Sequence, residues 1–343
     1  MKVASILLGL VAVVSARPSP TVDENLVKRA TVTDVAFGFA SLNGGTKGGA
    51  GGSVTTVSTL PQFTAAVSEK DTAPRIVFVK GIIKGSDKVR VGSNKSIIGL
   101  ANSGFEGIGL HIRRQKNVII RNIKSSFVIA DNGDAVKIEV CPSNITQNRP
   151  NNTTNATKQE STNVWVDHSE FWSARVDDKD YYDGLVDSSH GSDFVTISHT
   201  YFHDHWKASL AGHSDSSTTD KGKLRITYAN NYWKNVYSRT PLLRFGTAHI
   251  YNSYYEGIAT GVNSRMGAQA LVESTVFKDA EYPLTSRDSK EVGFIVQKDV
   301  VLGGGIVDAP TGTISSVPYS YSLLGSGRVA STVPGQAGAI LSF

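Results

Sequence analysis

An all-β, right-handed parallel β-helix is the fold this sequence predicts, a solenoid with one N-terminal capping helix and long loops on one side. Two observations carry the prediction. The segments "NVWVDHSEF", "FVTISHTYF", "LRITYANNYW", "AHIYNSYY" and "ALVESTVF" end on Phe171, Phe202, Trp233, Tyr255 and Phe277, at intervals of 31, 31, 22 and 22 residues, and a recurring period of this size marks a repeat architecture. Three residues before each aromatic stand His168, His199, Asn230, Asn252 and Ser274, a column of hydrogen-bonding side chains. In a parallel β-helix each coil lies about 4.8 Å above the last, so like residues stack, apolar ones inside and amides or imidazoles at a turn. A β-sandwich would instead space its strands roughly 8 to 12 residues apart, with hairpin turns between them.

In chain order, Lys2 precedes an apolar run through Val14, and "VSA" ending at Ala16 is a small-residue cleavage site. Residues 1–16 therefore read as a secretory signal, too short for a membrane span. Residues 17–29 end on the dibasic pair Lys28-Arg29 and read as a pro-segment, leaving residues 30–343 as one mature domain that is extracellular and secreted. Without residues 1–29 the formal charge falls from +5 to about +3, a mild bias that permits a polyanionic partner. Nucleic acid is not expected, because lysines and arginines are not gathered into aromatic-flanked stripes. No later segment is apolar for long enough to cross a bilayer, and a monomer is expected.

"STLPQFTAAVSEK" is the candidate capping helix, with Ser58 or Thr59 as N-cap, Pro61 in its first turn, and Phe63, Ala66 and Val67 on one face. Cys141 is the only cysteine, so stability rests on burial rather than an internal disulfide. Asn94, Asn144, Asn151, Asn152 and Asn155 each begin an Asn-x-Ser/Thr triplet, and the last four lie in a polar stretch that reads as an exposed loop. The C-terminal "DAPTGTISSVPYSYSLLGSGRVASTVPG" has no period and reads as a segment packed along the coils.

The two 31-residue coils carry insertions, and the charged residues gather there. "DDKDYYDGLVD" places five carboxylates in eleven positions, 177–187. An acid run of this kind is either a solvated loop or a cation site. Lys207 lies five residues after Phe202 and Arg239 six after Trp233, so they are expected one above the other on neighbouring coils, with Arg244 five residues further, across a proline turn. Three cations held this close require anions between them. Asp183 and Asp187 fall one coil earlier on the same face. A straight strand would hold them about 13 Å apart, so sharing one ion requires a bend near Gly184. With Asp134 in "DNGDAVKIEV" they form an all-oxygen set with no soft ligand, which suits calcium.

Taken together, "NGGTKGGAGG", "VRVGSNKSIIG", "NVIIRNI", "GDAVKIE", "NVWVDHSEF", "YYDGLVD", "VTISHTYFHDHWKASLAG" and "SRTPLLR" resemble the secreted pectate lyases of polysaccharide lyase family 1, most closely the fungal ones, from about residue 35 to 300. The resemblance implies a parallel β-helix that cleaves de-esterified homogalacturonan by β-elimination with calcium. By motif, Asp134, Asp183 and Asp187 map to calcium ligands, Lys207 and Arg244 to substrate-binding cations, and Arg239 to the base. Where the family often has a second acid two positions before Asp134, this chain has Asn132. Removing the C5 proton of a galacturonate sends negative charge onto its carboxylate, which is what clustered cations stabilise. A guanidinium stays protonated far above neutral pH, so an arginine base is either depressed by calcium and neighbouring cations or exchanges its proton only transiently, and alkaline conditions are expected to favour activity.

Other readings carry less. His203 and His205 have a His-x-His spacing without a third soft ligand, so they read as turn histidines bonded to neighbouring backbone. "GHSDS" holds triad residue types, but adjacency in sequence is not triad geometry. "GGTKGGAGG" lacks the Lys-Ser/Thr ending of a phosphate loop. A polygalacturonase-type hydrolase would need an acid and base carboxylate pair flanking a water, and a non-catalytic pectin-binding β-helix would bind without turnover. A pectin lyase acting on methyl esters without calcium is disfavoured by the three acids and Lys207.

Overall fold

The computed structural model describes residues 30–140 and 161–343. The proposed signal and pro-segment, Cys141 and the four later glycosylation triplets lie outside the described residues. Twenty-one strands pair in one continuous parallel sheet wound into a helix. Every coil contributes to three ladders. The first runs through Arg75–Val79, Lys95–Gly99, Lys116–Arg121, Thr162–Asp167, Asp193–Ser198, Arg225–Ala229 and Thr247–Tyr251. The second holds Glu170–Trp172, Tyr201–Lys207 and Tyr232–Ser238, and the third Val136–Glu139, Val186–Ser189, Leu210–Ala211 and Leu242–Arg244.

The aromatic column is the spine of the second ladder. Phe171 pairs with Phe202, Phe202 with Trp233, Trp233 with Tyr255 and Tyr255 with Phe277. Their rings stack with centroids 5.7, 4.1, 5.7 and 4.3 Å apart, fully inside the solenoid. The column three residues earlier forms the corner between the first and second ladders. His168, His199, Asn230, Asn252 and Ser274 all have φ between 41° and 49° or at 56°, the left-handed bend that turns the chain. Short polar side chains tolerate that bend and cross-link the coils. Asn252 Nδ2 donates to Asn230 Oδ1 at 3.0 Å, and His168 and His199 stack at 4.3 Å.

The capping helix spans Leu60–Ala66. Thr59 is its N-cap, accepting from Gln62 N, and Phe63 packs 4.6 Å from Phe105. The C-terminal segment does run back along the coils: Tyr321 Oη donates to Glu273, Asn252 Nδ2 to Ser322 O, and Leu341 N to Asn122 Oδ1. It also contains a helix that its sequence does not announce, Ser326–Thr332, whose Val329 and the following Val333 pack on Tyr232 and Tyr254.

Asn94 belongs to the turn ladder rather than to an open loop. Its Nδ2 donates to Thr72 O at 2.8 Å, its Oδ1 accepts from Asn117 Nδ2 at 2.8 Å, and Ser96 is fully buried. A glycan on that nitrogen would crowd the Thr72 carbonyl to which it donates. Mass spectrometry of the secreted protein is therefore expected to find Asn94 unmodified, and a glycosylated Asn94 peptide from folded enzyme would contradict this packing.

Candidate active site

The long coils raise the groove above the third ladder. Gly184 is where the acid-rich loop enters it. A Cβ at Gly184 would lie 2.7 Å from both Asp134 Oδ1 and Asp187 Oδ1, so the two carboxylates converge on a position that only glycine allows. Gly184 N donates to Asp134 Oδ1 at 2.9 Å, and Leu210 N to Asp187 Oδ1 at 2.9 Å. Asp134 and Asp187 are 2% and 5% exposed. Burial, and then Asp183, push the Asp134 carboxyl above the usual range. Burial, and then Asp134, push that of Asp187 well above it.

Asp183 interacts electrostatically with both acids but stands further out. The oxygens of all three do not come within 4.8 Å of one another, a spacing that only Asp167, His168 and His199 reach among the described residues. That second trio is a structural knot. Asp167 already takes His168 Nδ1 at 2.7 Å, Ser198 Oγ at 2.7 Å, Arg121 Nε at 2.8 Å and His199 Nδ1 at 3.3 Å, which leaves its carboxylate saturated. At the Asp134–Asp187 site the donors are hard oxygens, buried and under-neutralised, and Asp134 Oδ2 meets only the Lys137 ammonium, at 3.2 Å. A hard divalent cation fits that set.

The histidines of "HDHW" are structural. His205 Nε2 donates to Asp183 O at 2.7 Å, holding the loop in place, and burial brings its imidazole down to about 4, so it stays neutral at physiological pH. His203 is sandwiched between Trp172 and Tyr201 and pairs with Glu170. Asn132 spends its Nδ2 on Ser86 Oγ and Gly107 O, each at 2.9 Å.

The cations lie across the groove, with one correction to the expected register. Lys207 pairs with Ser238, and Arg239 follows one residue later. The register runs unbroken from Phe202 against Trp233 to Lys207 against Ser238, so Arg239 falls one position past Lys207, where the chain leaves the strand with φ 59°. Ser209 N then donates to Arg239 O at 2.7 Å, next to the Leu210 amide that holds Asp187. Arg239 lies close enough to Asp187 to favour its ionised form, and its guanidinium makes no hydrogen bond or ion pair among the described residues.

The anions demanded by this crowding are present, and sequence reasoning did not assign them. Asp180, from the acid loop, takes Lys207 Nζ at 2.6 Å and also pairs with Lys179, and those two bonds bring its carboxyl down to about 2. Asp215, from the other insertion, takes Arg244 Nε at 2.6 Å. Two further cations line the groove. Lys137 lies in register with Asp187, and Arg265 with Arg244. Burial, and then Arg244, bring the Arg265 guanidinium down to about 10. The signal for Lys137 was the alternation of "GDAVKIEV", which puts it on the outer face three residues from Asp134. Arg265 falls 21 residues after Arg244, one coil on. Asp177, Asp178, Lys179, Asp180, Trp206, Lys207, Tyr237, Ser238 and Arg239 together line a cavity of about 680 Å³ open to solvent.

A pectate lyase family model matches residues 3–340 of the chain. Pectate lyase A of Aspergillus niger is 50% identical over 328 residues, covering 95% of this chain and 94% of that protein. The probable pectate lyase A of Aspergillus fumigatus is 52% identical over 341 residues, 98% of each chain. Among solved structures, a Bacillus pectate lyase in complex with trigalacturonate superposes with a TM-score of 0.74 at 30% identity, covering 88% of this chain and 98% of that one.

Proposed function

The chain belongs to the pectate lyase family, and on that premise we propose that it cleaves de-esterified (1→4)-α-D-galacturonan by calcium-assisted β-elimination, giving 4,5-unsaturated oligogalacturonides. The observation that carries this reading is the convergence of two buried carboxylates on Gly184, with Arg239 within electrostatic reach of Asp187. The trigalacturonate bound by the Bacillus relative supports the substrate class. The proposed setting is extracellular: a signal over residues 1–16, a pro-segment over 17–29, and one secreted, monomeric mature domain from 30 to 343 that degrades plant cell-wall pectin.

In this reading Asp134 and Asp187, with Asp183 drawn in from the loop, hold the calcium ion. When bound, the ion supplies positive charge next to the substrate carboxylate and so stabilises the charge that develops as the C5 proton leaves. Arg239, with no partner to release, takes that proton. Lys207 and Arg244 bind galacturonate carboxylates and hold the sugar in register, and Lys207 must exchange its bond to Asp180 for one to substrate. With Arg239 accepting the proton in its neutral form, the electron pair from C5 forms the C4–C5 double bond, the bond from C4 to the bridging oxygen breaks, and that oxygen takes a proton from water.

Ultraviolet absorbance on polygalacturonate separates the readings. Unsaturated product is expected with calcium and not with a chelator. Saturated product would identify a hydrolase, and binding without any product a non-catalytic module.

A further inference from the structure

We propose that Asp215 is a positioning residue, one that orients the Arg244 guanidinium so that its outer edge is presented to a galacturonate carboxylate. The inference rests on the reading of Arg244 as a substrate clamp.

Asp215 arrives on the insertion of one coil and acts on the next. Its Oδ1 accepts from Arg244 Nε at 2.6 Å, and Arg244 Nη1 donates to Gly212 O at 2.8 Å. Both contacts are largely buried, Asp215 and Arg244 side chains being 16% and 11% exposed. At the base of the same side chain, a Cβ on Gly212 would come within 2.8 Å of Arg244 Cβ, so the arginine stem lies flat against a position without a side chain. A guanidinium offers two carboxylate-binding edges. Asp215 occupies Nε, and Nη2 makes no hydrogen bond among the described residues, so the Nη1–Nη2 edge is the one left for a two-pronged grip.

The other oxygen of Asp215 fixes the bonded one. Oδ2 accepts from Ser289 Oγ at 2.8 Å and Lys290 N at 3.0 Å, tying the carboxylate to a loop three coils further along. That loop has independent anchors. Met266 N donates to Glu291 O and Gly267 N to Val292 O, each at 2.8 Å. Removing Asp215 therefore frees the arginine without unseating the loop. The aspartate also lies within electrostatic reach of Arg244 and Arg265, where a simple counter-ion would weaken substrate binding. Positioning and counter-ion roles thus predict opposite signs when the carboxylate is removed.

The experiment is a double-mutant cycle on polygalacturonate with Asp215→Ala, Arg244→Ala and the pair. The expected result is a KM about tenfold higher in Asp215→Ala with kcat within about threefold, and no further rise when it is added to Arg244→Ala. Asp215→Asn keeps an acceptor for Nε and should show a smaller rise, which also serves if the alanine variant does not fold. Ser289→Ala, which leaves the Lys290 N contact to Oδ2 in place, should raise KM by less than Asp215→Ala does. A KM that stays level or falls in Asp215→Ala, or that rises equally on top of Arg244→Ala, overturns the positioning role. An unaltered KM in Arg244→Ala itself overturns the clamp reading instead.

Discussion

Replacing Arg239 with lysine is expected to lower turnover at saturating galacturonan by about 100- to 10,000-fold, the range in which a general base contributes, while KM changes by less than about threefold. Lysine keeps the positive charge beside Asp187 but not the guanidinium nitrogen placed by the left-handed turn at residue 239. Substrate attraction should therefore survive and proton removal should not. The Arg239 guanidinium makes neither a hydrogen bond nor an ion pair among the described residues, whereas Lys207, Arg244 and Arg265 pair with Asp180, Asp215 and Asp288. Steady-state kinetics on the folded variant decide the matter. Retention of more than about a tenth of the parental kcat would remove Arg239 from the role of base and direct attention to Lys207.

Withdrawing calcium is expected to abolish unsaturated product, and Asp187→Asn to do the same while also erasing the thermal effect of the ion. Asp134 and Asp187 are buried against each other, with Lys137 as the only cation touching Asp134 among the described residues. Separating or neutralising that repulsion is what a bound divalent ion would do. At about 100 times its Kd a ligand that binds only the folded state stabilises it by about 2.7 kcal/mol, which for a chain of this size raises Tm by a few degrees, roughly 2–4 °C. Asparagine at 187 keeps an acceptor for the Leu210 amide, so the variant should fold, with a Tm in chelator at least equal to the parent's. Calorimetry with calcium and with chelator checks this without reference to activity. A calcium-dependent rise in Tm that persists unchanged in Asp187→Asn would remove this pair as the ligand set.

The spine of the fold was legible because it is periodic. Stacked coils place equivalent residues on equivalent positions, so the aromatics from Phe171 to Phe277 and the polar corner from His168 to Ser274 each appear as a column in the sequence. The capping helix was legible from local chemistry, a Thr59 cap and a Phe63-centred apolar face. The C-terminal helix was not, because seven residues that bury essentially Val329 show no 3.6-residue period. The candidate site was proposed residue by residue through its motifs; of those residues Asp134 and Asp187 converge on Gly184, and Lys207 and Arg239 line one cavity.

What the sequence by itself determined is the solenoid, its register of stacked side chains and which insertions carry charge, since each of these follows from spacing along one chain. The tertiary structure alone decided which charge answers which. Asp180 reaches Lys207 across 27 residues and Asp215 reaches Arg244 across 29. Such pairings depend on how aperiodic loops fold back over neighbouring coils, where buried like charges must find partners at distances of a few ångströms, and a distance of that kind is fixed by backbone turns at Gly184, Gly212 and Arg239 that no repeat in the sequence encodes.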